Sequence, residues 1–97
     1  MNNNEKIEGN AAAGVGTRVV WSGEQVQHPY NATQTPIVVS AAYGYNDIDA
    51  WYDVAQGKQP GFIYSRMSNP TVATLEAKLA ELEQAESAVA FSSGMAA

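Results

Sequence analysis

Cysteine is absent from the 97-residue chain, so neither a disulfide nor a thiolate metal site can reinforce it. Cations are scarce as well: five Lys and Arg stand against ten Asp and Glu, for a net charge of −5. Nucleic acid and anionic membrane surfaces need clustered Lys or Arg, so neither is an expected partner. No run of about 18 apolar residues occurs. The opening Met1-Asn-Asn-Asn-Glu-Lys-Ile-Glu also lacks a basic segment followed by an apolar one. Secretion and membrane spanning are therefore not expected, and a cytoplasmic location is the default. The single histidine, His28, lies in a polar loop with no second His and no Cys to share an ion, so no metal site is expected.

What is present divides into three stretches. Met1 to Gly16 is rich in Asn, Ala and Gly and carries only Ile7 and Val15 as sizeable apolar residues. That is too little to offset the entropy of ordering it, so residues 1–16 read as a disordered tail. From Thr17 to Gly61, Trp21, Tyr30, Tyr43, Tyr45, Trp51 and Tyr52 are spread among Pro, Gly and Asn without a sustained helical period. Aromatic side chains in such a stretch need a surface to lie on, so residues 17–61 read as an extended arm contacting a neighbouring subunit or another domain. Within it, Pro36 to Ser40 has strand composition, and Asn46 to Val54 suits a short helix ending near Gly57.

Residues 62–97 carry the regular pattern. Asn69-Pro70 is a helix start, with Asn as cap and Pro where its missing N–H costs nothing. Val72, Leu75, Leu79 and Leu82 follow on one stripe and predict a helix to about Glu83. Ser87 to Ser92 is a short apolar run that suits a strand covered on both faces, and Ser93 to Ala97 suits a tight turn entering a new helix. Together these predict an α/β fold that ends one step into a βα unit, as an N-terminal fragment would.

Two clusters could carry chemistry. Ser92-Ser93-Gly94-Met95 would aim free backbone N–H groups and a helix dipole at one spot, which suits an anion. Taken alone, such a turn more often serves as a plain connection. Tyr64 and Arg66 sit two apart and would project to one side of an extended segment, a phenol beside a guanidinium fork. Taken alone, they read more often as a core Tyr beside an ordinary surface Arg. Lys6, Lys58 and Lys78 all read as solvated side chains.

The run Gly61-Phe-Ile-Tyr-Ser-Arg-Met-Ser-Asn-Pro-Thr71, followed by Leu75-Glu76, Leu79, Leu82-Glu83 and Ser93-Gly-Met-Ala-Ala97, resembles the Cys/Met-metabolism (transsulfuration) enzymes that use pyridoxal 5′-phosphate (PLP). Thr17-Arg18 with Gly23, and Thr35-Pro36-Ile37, extend the likeness, which covers about Thr17 to Ala97. The resemblance implies the start of a fold-type-I PLP-dependent transferase large domain preceded by an N-terminal arm. It also implies a homotetramer of close dimers with sites shared between subunits. By resemblance, Tyr64 and Arg66 bind the cofactor phosphate of the neighbouring subunit, and the amides of Gly94 and Met95 bind phosphate within their own. Tyr43 and Tyr45 fall where the arm nears the substrate pocket, although interface packing is the commoner role for such residues. The Schiff-base lysine of the family is expected downstream of Ala97, so no catalytic residue is expected in this segment. The implied substrate is a small amino acid, and the implied reaction is γ-replacement on an O-acylhomoserine, as in cystathionine γ-synthase or O-acylhomoserine sulfhydrylase. Elimination, as in methionine γ-lyase or cystathionine lyase, is the alternative. A non-catalytic interaction fragment is a second alternative, should 97 residues be the whole product.

Overall fold

The structure, a computed structural model, describes residues 14–24 and 28–97. Most of the expected tail, residues 1–13, lies outside them. Among the described residues there are three α-helices, which we call α1 (Val15–Trp21), α2 (Ile48–Ala55) and α3 (Pro70–Leu82), and a 3-10 turn at Pro29–Asn31. The chain divides into two compact units, one formed by Met1–Pro36 with Thr71–Ala97 and the other by Ile37–Pro70.

In the first unit α3 begins at Pro70 and runs for 13 residues, as its Asn-Pro start and apolar stripe predict. It ends where Gln84 takes φ 54°, and Ala85 N–H reaches back to Ala80 O at 2.8 Å, satisfying a terminal carbonyl. α1 lies within the stretch read as tail and extended arm, and its presence corrects that reading. Four of its seven residues, Val15, Thr17, Val19 and Val20, are β-branched, which disfavours an isolated helix. Tertiary bonds supply what propensity does not. Lys78 of α3 donates to Val19 O (3.0 Å) and Val20 O (3.2 Å), capping the C-terminal end of α1. Arg18 Nη1 reaches Glu81 O at 3.4 Å. Lys78 is therefore not the solvated side chain expected: it also pairs with Glu24 at 3.3 Å, with its side chain 22% exposed.

Between the helices, Gly23 turns the chain at φ +74° directly against α3. A Cβ there would stand 2.7 Å from Thr74 O and 2.9 Å from Lys78 N, so only glycine permits this approach. Thr35 donates to the Glu24 carboxylate, and Thr71 Oγ1 donates to Pro36 O at 2.9 Å. His28 is buried beside Glu24 at 3.6 Å, and no group of residues able to hold a metal occurs among the described residues.

The strand expected over Ser87–Ser92 is not formed: this stretch pairs with no neighbour, and no strand ladder occurs among the described residues. Apolar composition makes a strand only where a second backbone answers its N–H and C=O groups. Here Ala90 N–H donates instead to Glu76 Oε2 at 2.9 Å. The α/β architecture is thus not displayed by this segment.

In the second unit α2 forms where the short helix was expected. Asp47 caps it by accepting Ala50 N–H at 2.7 Å, and Gly57 at φ +77° closes it with a bond from its N–H to Val54 O at 3.0 Å. Pro36–Ser40 is without a ladder. The one bridge among the described residues joins Ala42 and Tyr64 in antiparallel fashion, with Tyr43 N–H donating to Ile63 O (3.1 Å) and Ser65 N–H to Ala41 O (2.8 Å). No helix among the described residues is long and apolar enough to cross a membrane.

Candidate functional site

Tyr64 and Arg66 stand at a turn that leaves the bridge. Met67 and Ser68 N–H both return to Tyr64 O, at 2.9 and 3.2 Å, so the segment bends rather than continuing as a strand. The two side chains meet by that bend and not by strand alternation. The Arg66 guanidinium lies 5.1 Å from the centroid of the Tyr64 ring, and both residues are exposed. An exposed phenol ring thus lies beneath an exposed five-donor fork.

Ser65, between them, points the other way and anchors the turn. Its hydroxyl donates to Ser40 O, leaving its lone pairs to accept from Asn69 Nδ2 (3.1 Å) and from the Tyr43 hydroxyl (3.1 Å). Asn69 Nδ2 also reaches Val38 O (3.0 Å) and Tyr43 Oη (3.4 Å). The Tyr43 ring packs on Phe62 with centroids 5.7 Å apart.

Tyr45 is likewise engaged, its hydroxyl donating to Phe62 O at 2.7 Å. Beside it Gly61 lets the chain pass close to this phenol, since a Cβ there would lie 2.7 Å from Tyr45 Oη and displace it. Tyr43 and Tyr45 contribute to an open pocket of about 380 Å³ that also includes Asn46, Asp47, Ile48 and Trp51. Their phenol groups are thus bound internally, and what they offer the pocket is largely ring surface.

In the other unit, Ser93 begins a single helical turn. Its Oγ accepts Ala96 N–H at 3.2 Å and its carbonyl accepts Ala97 N–H at 3.3 Å, a hydrogen-bonded turn. Gly94 and Met95 occupy the middle of this turn. Nothing stands within 4 Å of where a Gly94 Cβ would be, so the backbone is open to close approach.

Both clusters offer donors that suit a phosphate monoester: one a guanidinium and a phenol, the other the backbone of an open turn. Tyr64, Arg66, Gly94 and Met95 are the donors the sequence singles out, whereas the hydrogen-bonding roles of Ser65 and Asn69 emerge only in the fold. The available signal was the small hydroxyl itself: a Ser in a tight turn beside bulky side chains commonly spends its hydroxyl on nearby backbone or side-chain groups.

These features define the class as a segment furnished for a phosphorylated cofactor. Residues 16–97 match the family described as Cys/Met metabolism PLP-dependent enzyme, and the chain belongs to that family. It is 35% identical to an L-methionine gamma-lyase of Pseudomonas putida over 88 residues, covering 91% of this chain and 22% of that protein. It is 38% identical over 84 residues to an O-acetyl-L-homoserine sulfhydrylase of Corynebacterium glutamicum, with 87% and 19% covered. A cystathionine gamma-synthase of Haemophilus influenzae is 37% identical over 83 residues, with 86% and 20% covered. The chain spans about a fifth of the length of these relatives. The family is PLP-dependent, and its enzymes act in sulfur amino-acid metabolism.

Proposed function

We propose that the intact protein catalyses γ-replacement on an O-acylhomoserine, joining a thiol or sulfide to the homoserine carbon skeleton in the cytoplasm. The exposed Tyr64–Arg66 pair carries this reading, as a preassembled donor set for a cofactor phosphate. When bound, PLP supplies the electron sink for amino-acid chemistry. The residues of this segment hold and orient it. Arg66 offers its fork and Tyr64 its phenol O–H to the phosphate of a neighbouring subunit, while the Gly94 and Met95 amides offer theirs within the same subunit. The assembly is a homotetramer of close dimers. Relatives named as a sulfhydrylase and a synthase support replacement. The methionine gamma-lyases among the relatives support elimination as the second reading.

Mixing separates shared from private sites. An Arg66→Ala subunit combined with a subunit lacking the cofactor lysine should recover γ-replacement activity on subunit exchange, because one hybrid site regains both groups. No recovery, with exchange verified by mass, refutes the shared site. Ammonia release from methionine with no turnover of O-acetylhomoserine and sulfide would replace the first reading with the second.

A further inference from the structure

We propose that Ser65 and Tyr43 are positioning residues of the phosphate clamp, holding the Tyr64–Arg66 turn in a shape that presents both donors together. This rests on the clamp reading above and deepens it.

The hydrogen-bond directions follow from counting protons. Ser65 has one hydroxyl proton, and it is spent on Ser40 O. At the 3.1 Å contact with Tyr43 the phenol must therefore donate, and Asn69 donates at its own 3.1 Å contact. The Ser65 oxygen thus ties together three separate stretches of chain, at Ser40, Tyr43 and Asn69. The two backbone bonds flanking it, Tyr43 N–H to Ile63 O and Ser65 N–H to Ala41 O, fix the same register. On the exposed side Arg66 lies against the Tyr64 ring, and among the described residues no comparable hydrogen bond restrains it. The pose of the clamp is therefore set from beneath. Removing the Ser65 hydroxyl would leave the Tyr43 and Asn69 donors and the Ser40 carbonyl without that partner at once. A Tyr43 hydroxyl employed in this way is not available as a substrate contact.

The test compares two ligands, PLP and pyridoxal, which lacks the phosphate. Their dissociation constants are measured on the intact protein for wild type, Ser65→Ala, Tyr43→Phe and Arg66→Ala. Arg66→Ala should weaken PLP by about tenfold or more and leave pyridoxal unchanged, since it removes a charge-assisted contact to phosphate. Ser65→Ala and Tyr43→Phe should follow the same pattern with a smaller loss, about threefold to tenfold. The Michaelis constant for the amino-acid substrate at saturating PLP should not change in Tyr43→Phe. If Arg66→Ala fails to discriminate between the ligands, the clamp itself is wrong. If Arg66→Ala discriminates but Ser65→Ala and Tyr43→Phe leave PLP affinity intact, or weaken both ligands alike, the positioning role is overturned. Should Ser65→Ala fail to fold, Tyr43→Phe decides alone.

Discussion

Gly23 meets two demands that no other residue satisfies together: a backbone at φ +74° and a contact with α3 that leaves no room for a Cβ. Gly23→Ala must either push α1 away from α3 or strain the turn, and the obstacles are backbone atoms that cannot rotate aside. We expect a loss of about 1–3 kcal/mol, read from denaturant unfolding of the intact protein. In the sequence Gly23 stands out only as part of the family likeness, because the need for it arises from Thr74 and Lys78, more than fifty positions downstream. Asn69-Pro70 was legible for the opposite reason: a helix start is local chemistry written in adjacent residues. Ser65 falls between these cases. Its need for a partner follows from the small hydroxyl beside bulky side chains, but its partners Ser40 and Tyr43 come from distant positions.

Among the elements, α2 and α3 could be read because their caps and apolar spacing lie within a few residues of one another. α1 could not, since it depends on Lys78 and Arg18 bonds made across the fold. The docking of α1 on α3 passes through Glu24, which faces Lys78, His28 and Thr35. Burial raises the Glu24 carboxyl, but the hydrogen bonds from Thr35 and Lys78 and the charges of Lys78 and His28 outweigh it and hold it below its ordinary value of 4.5. The folded state therefore favours the ionised form. Its contribution to stability is complete above the unfolded value and fades as pH falls through the lower folded one. Glu24→Gln should remove that dependence, so stability below about pH 4.5 should fall less steeply in the variant than in wild type. Thermal melts at a series of pH values check this. The run over Ser87–Ser92 forms no ladder here because strand formation needs a pairing backbone, which composition alone does not reveal.

At the scale of the whole molecule, no hydrophobic side chain is fully buried among the described residues, and Val72, Leu75 and Leu79 on α3 are 43–49% exposed. Polar latches and glycine contacts hold the elements, but cooperative unfolding comes from shared apolar burial. The 97-residue polypeptide by itself should therefore melt gradually, without a calorimetric peak. A sharp transition with matching calorimetric and van't Hoff enthalpies would show that apolar cover is not needed. The extended stretch Pro36–Ser40 has a further property in such a sparsely covered chain. Its carbonyls at Pro36, Val38 and Ser40 accept from Thr71, Asn69 and Ser65 in turn. A strand-like segment with Ile37 and Val39 exposed would ordinarily be a template for aggregation. Alternate carbonyls of an extended segment share an edge, so on that edge an incoming strand would have to displace three side-chain hydrogen bonds before making its own, and self-association through it is thereby disfavoured.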